Sequence, residues 1–315
     1  MKTIIWQGGK ITEPGLYKGV PIDFYHGDCC DGPSISSTGL RALIHTSPAH
    51  FYAKSYLNPR RVEQKEKAHF SLGRAVHHLV LGEAYFAKLY AIQPEEYTDQ
   101  KTGEKKKWTR AAEVCKSWHR AREKEGRTSI SASDAENIVG MARSLAAHDT
   151  VKAGLLRGLI ERSIFWRDEE TGIWLKWRPD CVPNDSGDFS DLKTTTSVLW
   201  TDLMRTIDDY AYYQQGALGR EVVKHVLGMD MQTFSLVFVE KNDPWCCRTV
   251  IIKEHLLQKG QSLNRIALRT MRDCLKSGRW PGPGAGGDVA EYIETSEWSQ
   301  KHIDDIIQRL SADTK

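Results

Sequence analysis

A chain of 315 residues is long enough to bury a sizeable core, as one large domain or two modest ones. Its formal net charge of +3 is too small to mark a nucleic-acid binder by itself, and no apolar run approaches the ~18 residues that cross a membrane. The N-terminus "MKTIIWQGGKITEPG" lacks the apolar core and cleavage site of a secretory signal. The seven cysteines, with adjacent pairs at Cys29-Cys30 and Cys246-Cys247 and no CxxC, argue against a disulfide framework or a thiolate metal site; free thiols in a reducing cytoplasm are the expectation.

In chain order, residues 1–34 are rich in Gly, Pro and Asp and read as loop or irregular strand. "SISSTGLRALIHTSPAHFYAKSYL" opens on Ser/Thr caps and carries Leu40, Leu43 and Ile44 at helical spacing, with Pro48 dividing it into two helices. "HFSLGRAVHHLVLGEAYFAKLYAI" is apolar around much of its circumference and predicts a deeply packed helix. A basic helical stretch near 109–125 and a capped helix from "SASDAENIVG" complete a mainly helical part, 35–159. From residue 160 the period changes: "ERSIFWRD", "GIWLKWRPDCV" and "DFSDLKTT", separated by the turns "DEETG" and "PNDSG", predict a three-strand meander. A helix over roughly 201–227, two strands ("QTFSLVFVEK", "WCCRTVIIK") and a helix over about 253–277 follow, before the connector "GRWPGPGAGGD" and a C-terminal segment, 281–315. The order predicts a single α/β domain over 1–315, a mixed central sheet flanked by helices, with no internal linker.

The meander holds the candidate chemistry. Asp180 ends its second strand, and alternation along "FSDLK" places Asp191 and Lys193 on one face of the third, with Leu192 on the other. If these strands pair antiparallel, Asp180 comes close to Asp191. Two carboxylates brought together repel unless a cation lies between them, and hard oxygen ligands suit Mg²⁺. Lys193 would lie beside that ion, positioned to orient a water or to stabilise charge on a phosphate. Asp185 and Asp188, in the turn, are favoured there for backbone reasons.

The run Pro179-Asp180 followed by Asp191-Leu192-Lys193 resembles the PD-(D/E)XK nuclease signature. "GRAVHH" is similar to the G-x-x-x-H element of its RecB-like branch, with Gly73 and His77 in the matching positions; Glu161 in "ERSIFW" matches an acid often found in that branch, and Gln215 in "DYAYYQQGALG" its glutamine helix. "YHGDCCDGPSISSTGLRALIHTSPAHFYA", "CLKSGRWPG" and "EYIETSEW" resemble the RecE-type exonucleases, the exodeoxyribonuclease VIII family, so that the likeness spans about Tyr25 to Trp298. One departure stands out: where the branch has a tyrosine four residues after the glutamine this chain has Gly219, and Tyr212 or Tyr213 would have to serve.

The resemblance implies a restriction-endonuclease-like core. It implies that Asp180, Asp191, His77 and the Leu192 carbonyl bind Mg²⁺ or Mn²⁺, that Lys193 acts on the attacking water, and that Glu161 and Gln215 belong to the site. It further implies 5′→3′ resection of linear double-stranded DNA ends to 5′-phosphate nucleotides, a single-strand annealing partner of the RecT type, a ring-like homo-oligomer such as a tetramer, and a cytoplasmic place in a bacterial host, encoded by phage or prophage. An endonuclease or single-strand exonuclease of the same superfamily, and a catalytically silent DNA-binding scaffold, are the alternatives.

Two further expectations concern DNA. Ser36, Ser37 and Thr38 head a helix whose free N–H groups suit a phosphate, and Arg178 and Tyr212 flank the carboxylates. Residues 101–127 hold ten Lys/Arg against four Glu, a local +6 that leaves the remainder of the chain at −3, with Trp108 and Trp118 interleaved. Such a run suits either a phosphate backbone or a solvated helical face.

Overall fold

The computed structural model describes residues 2–62, 68–82, 86–160, 162–184, 186–284, 290 and 292–312, the side chains of 68–72 excepted. It divides into two compact units, Met1–Pro281 and Gly282–Lys315. Among the described residues no helix is long and apolar enough to cross a membrane.

The first unit opens with strands β1 (Thr3–Ile5) and β2 (Gly15–Lys18), helix α1 (Ile22–His26), strand β3 (Ser34–Ser36) and helices α2 (Ser37–His45) and α3 (Pro48–Lys54). Helix α4 (Ala68–Leu81), α5 (Phe86–Leu89), strands β4 (Tyr90–Ile92), β5 (Glu96–Thr98) and β6 (Lys105–Lys107), α6 (Glu113–Lys124), β7 (Thr128–Ile130), α7 (Ala132–Ala147) and α8 (Asp149–Lys152) follow. The rest of this unit runs β8 (Leu159–Ile160), β9 (Ser163–Arg167), β10 (Trp174–Trp177), β11 (Cys181–Val182), β12 (Asp188–Thr195), α9 (Trp200–Asp209), α10 (Tyr212–Leu227), β13 (Thr233–Glu240), β14 (Cys247–Ile251) and α11 (Glu254–Ser277). The second unit carries α12 (Glu297–Ala312).

Local chemistry sets many of these boundaries. Ser47 caps α3 by accepting the His50 N–H, with Pro48 at the first helical position, and Ser131 with Asp134 forms a reciprocal capping box on α7. Gly278 closes α11 in the left-handed conformation. Ala211, also left-handed (φ 45°), breaks the helix expected over 201–227 into α9 and α10.

Three expectations are corrected. Residues 1–34 are not irregular: β2 pairs antiparallel with β9, β1 parallel with β2, and β3 parallel with β10, giving a five-stranded sheet in the order β1-β2-β9-β10-β3. Leu16 and Tyr17 of β2 are buried, so a short strand is held by its neighbours although its flanks are turn residues. Strand β10, expected to be half-buried, is enclosed on both faces, because Leu175 and Trp177 pack into the main core and Trp174 into a second cluster with Tyr25 and Phe165; Lys176 within it donates to the Tyr25 carbonyl at 2.6 Å.

The third correction concerns the meander. Strands β9 and β10 do form an antiparallel hairpin, with Trp174 opposite Arg167. Asp188–Thr195 does not join it: β12 pairs parallel with β13, in a separate sheet of order β12-β13-β14. Cys181 and Val182 instead pair with Ile160 and Leu159. Gly187 then fixes the new register, since the Gln232 N–H donates to its carbonyl at 2.8 Å and a Cβ there would lie 2.5 Å from the Asp230 carbonyl oxygen. Parallel pairing requires a crossover, and α9 and α10 supply it.

Strands β12 and β13 form the centre of two apolar layers. Phe189, Leu236 and Phe238 pack with α2, α10 and α11, whereas Leu192, Val237 and Val239 pack with Ala75 and Val76 of α4 and Ile138, Met141 and Leu145 of α7. This is a mixed α/β core with helices on both faces, as the order of elements predicts.

The glycine at the family's tyrosine position also has a packing reason. A Cβ on Gly219 would lie 2.5 Å from the ring of Trp177, which is 2% exposed. Gly219→Ala should therefore cost about 1–3 kcal/mol of stability by overpacking. Urea unfolding of the two proteins measures it, and an unchanged midpoint would show that the indole can move aside.

Candidate active site

Strand β12 is an edge strand, hydrogen-bonded to β13 on one side only. At Leu192 the other side is closed by side chains. The Leu192 N–H donates to Asp180 Oδ2 at 2.5 Å, and the Leu192 carbonyl lies 3.0 Å from His77 Nε2. Asp180 thus meets the DLK strand through a main-chain amide, not as an opposed residue in a hairpin. Alternation places Leu192 in the α4–α7 layer, while Asp191 engages α10 on the opposite face, as read from the sequence.

His77 is delivered from α4, with Gly73 one turn earlier. The place of Gly73 against β12 is close: a Cβ there would meet Thr194 Oγ1 at 3.4 Å, in ordinary van der Waals contact. The Gly73 carbonyl lies 2.7 Å from His77 Nδ1, which must donate to it. This fixes the tautomer and leaves Nε2 facing two oxygens, Leu192 O at 3.0 Å and Asp180 Oδ2 at 3.3 Å. A neutral imidazole would present a lone pair to two acceptors. Nε2 must therefore hold a proton or share a cation with them.

The electrostatics agree. Burial works against the imidazolium, but the Asp180 carboxylate and the Gly73 carbonyl outweigh it and push His77 up to about 9. Burial would raise Asp180, yet the His77 charge and hydrogen bond, Lys193 and the Leu192 amide hold it below the usual carboxylate range. Asp191 is raised, first by burial and then by the charge of Asp180.

On the α10 face, Asp191 Oδ1 accepts from Gln215 Nε2 at 3.0 Å, while its buried Oδ2 is ion-paired with Lys193 and accepts no other hydrogen bond. Burial opposes the Lys193 ammonium, but Asp191, Tyr212 and Asp180 keep its pKa above that of an ordinary lysine. Lys193 is thus a charged donor at neutral pH and not a free base. Its Nζ lies 5.0 Å from the centroid of the Tyr212 ring, a cation–π contact. Tyr212 is itself buried, so it covers the lysine and does not present a phosphate-binding surface.

Three donors of the expected metal set converge: His77 Nε2, Asp180 Oδ2 and Leu192 O. Their 3.0 and 3.3 Å separations match the edges, about 3 Å, of an octahedron with bonds of about 2.1 Å. Asp191, the fourth, is turned to Lys193 and Gln215. Among the described residues no three His, Cys, Asp or Glu side chains form a ready cage. The donor chemistry fits a hard divalent ion, which His77, Asp180 and the Leu192 carbonyl, with Asp191, would hold. Glu161 lies outside the described residues.

His77, Asp180 and Gln215 open onto a cleft of about 1000 Å³. Ser36, Ser37 and Thr38 line it together with His77, Asp180, Gln215 and Arg178, so residues far apart in the chain share one wall. Ser36 caps α2 without a side-chain hydrogen bond. Arg178 Nη1 donates to the Val20 carbonyl at 2.8 Å, which fixes its place at the rim. Tyr213, the other tyrosine considered, is not part of this lining and packs against the main core.

Sequence reasoning missed Lys18, Arg74 and Arg162, which make the cleft basic, with Asp180 the only acid among its described lining. Arg74 stands three and four residues before His77 and His78, so helical spacing could have revealed it. Lys18 could not be found this way, because β2 was not foreseen. Arg41 was also missed: it donates from Nε to the Ser37 carbonyl at 3.2 Å, from Nη2 to Thr38 Oγ1 at 3.2 Å and from Nη1 to the Tyr210 carbonyl, and lies 5.9 Å from the Tyr212 ring. It ties the head of α2 to the aromatic cover of Lys193.

The Pro179-Asp180 pair and the Asp–Leu–Lys edge strand, joined through the Leu192 amide, carry the PD-(D/E)XK pattern, and the family comparison agrees. Residues 36–295 match the family model described as a PDDEXK-like domain of unknown function (DUF3799), and the chain belongs to that family. Among solved structures it is similar to a "Putative exonuclease" from Eubacterium rectale, with a TM-score of 0.55 and 13% identity over 85% of this chain and 92% of that one. That likeness shows the shared fold. No curated protein matches the chain.

The His77 environment sets a pH dependence for the metal-free protein. Because its folded pKa is raised from 6.5 to about 9, its contribution to stability is full below about 6.5 and is lost as pH rises through about 9. Denaturant unfolding of wild type and His77→Gln in chelator, between pH 6 and 10, should show the wild-type advantage shrinking over that window. A constant difference would contradict the imidazolium.

Proposed function

We propose that this protein is a metal-dependent exodeoxyribonuclease of the RecE type, resecting linear double-stranded DNA 5′→3′ and leaving 3′ single-stranded tails. The observation that carries the chemistry is the arrangement at β12: two carboxylates, a histidine and a main-chain carbonyl on either side of one strand, with a protonated lysine on the same residue run, opening into a basic cleft. His77, Asp180 and the Leu192 carbonyl, with Asp191, would hold Mg²⁺ or Mn²⁺. Such an ion, when bound, polarises a phosphodiester and lowers the pKa of its water. Lys193 contributes a fixed positive charge for the phosphoryl oxygens or the entering water, and Gln215 orients the Asp191 carboxylate. Lys18, Arg74, Arg162 and Arg178 neutralise the DNA backbone, and the head of α2 receives the 5′-phosphate.

The resemblance over about Tyr25–Trp298 supports the RecE-type reading. The same reading makes the protein a ring-like homo-oligomer, a tetramer by preference, that passes its product to a RecT-type annealing protein in the cytoplasm.

Labelled linear duplex incubated with Mg²⁺ and sized over time tests the activity. Asp191→Ala and Lys193→Ala should each lose at least about 10²-fold in rate, whereas Asp188→Ala, at the exposed start of β12 beside Thr233 and not in the turn as expected, should retain it. Full activity in either of the first two overturns the assignment, and cleavage of covalently closed circles would make the enzyme an endonuclease. Ser36→Ala with Ser37→Ala should slow digestion of 5′-phosphorylated ends alone; equal slowing on unphosphorylated ends removes the phosphate role.

A further inference from the structure

A second concentration of positive charge lies outside the catalytic cleft. The +6 run of residues 101–127 holds the second strand of the β5–β6 hairpin and then α6, joined where Trp108 packs edge-on against Trp118, with ring centroids 5.5 Å apart. Glu113 pairs with Lys116 and Arg120, and Glu125 with Arg122 and Arg127. Lys101, Lys107, Arg110 and Lys124 have no acidic partner among the described residues. Beside them is a cleft of about 610 Å³ lined by Arg110, Lys116, His119, Arg120 and Arg127, with Glu123 its single acid.

This cleft adjoins the catalytic one. Thr128, in its wall, is the ladder partner of Tyr90 across the parallel β4–β7 ribbon, and Leu89, one residue before Tyr90, lines the catalytic cleft. Neighbouring strands in such a ribbon are about 4.8 Å apart. Arg127 donates twice to the Tyr90 carbonyl, at 3.2 and 2.7 Å, and the Tyr90 hydroxyl lies 2.9 Å from Nδ1 of His78, which faces the catalytic cleft beside His77. One narrow ribbon separates two cationic surfaces.

Resting on the nuclease reading above, we propose that this second cleft is a backbone track, holding phosphates of the same DNA molecule beyond the nucleotides at the catalytic centre. Guanidinium groups match phosphate oxygens in pairs, and His119 is the one aromatic ring in the described lining, itself packed edge-on against Trp108 and Trp118. The contact is therefore electrostatic and independent of sequence. It lengthens the footprint on DNA without touching the chemistry.

The test uses the full-length protein carrying Arg110→Glu and Lys116→Glu, and separately Arg110→Gln and Lys116→Gln, both exposed positions in the lining of the cleft. Binding of a long fluorescent duplex in chelator, without cleavage, is measured against salt. The slope of log affinity on log salt should fall by about 2 for two lost phosphate contacts, and affinity at low salt by at least ~10-fold in the Glu variant and less in the Gln variant. With Mg²⁺, kcat/KM on a ladder of duplex lengths should match wild type for the shortest substrates and fall behind as length grows. An unchanged salt slope overturns the track, as does an equal loss at every length. Since the binding arm needs no catalysis, an inactive wild type would sink the nuclease reading and leave this test standing. Unchanged binding beside an inactive Lys193→Ala would sink the track alone.

Discussion

The backbone of Leu192 is the point on which the site depends. An edge strand carries an amide and a carbonyl that no neighbouring strand satisfies, and leaving both unpaired in a partly buried place is costly. Here the amide is given to Asp180 and the carbonyl is opposed by His77. The same two groups that close the sheet edge are the ones that would grip a divalent ion. Structural satisfaction and ligand placement are therefore one arrangement, and the flanking residues Asp191 and Lys193 are aimed by strand alternation alone.

Much of the site was legible in the sequence because its parts obey short-range rules. Alternation put Asp191 and Lys193 together and Leu192 opposite; the four-residue spacing of Gly73 and His77 reports one helical turn. How Asp180 reaches Asp191 was not legible. A meander pattern gives strands without partners, and the choice of β13 over β10 depends on the close approach at Gly187, a long-range contact that periodicity does not encode. Likewise β1, β2 and β3 are short, lie among turn residues and exist because a sheet receives them. Gly219 shows the reverse: its departure from the family's tyrosine raised a question about function, and the neighbour that answers it, Trp177, lies on another element.

Charge follows a similar logic. The whole-chain value of +3 conceals an acid pair buried in the core and two cationic walls at the surface. Arg74 and Arg178 come from different layers, and only the fold brings them to one rim. Net charge speaks to solubility and long-range attraction, whereas the local field is set by which elements meet. The protonated His77 and Lys193 are the internal part of that balance, offsetting two carboxylates that neither burial nor each other's company would favour as anions.

The separation of His77 and Leu192 by 115 positions in the chain has a biological consequence. Neither the helical half nor the strand half holds the full donor set, and no local segment can improvise it. While the polypeptide is being made, or after it has been clipped between the two, it has no competent centre. Any chemistry that needs the full donor set is thereby withheld until the chain is complete, because long-range topology serves as its safety catch.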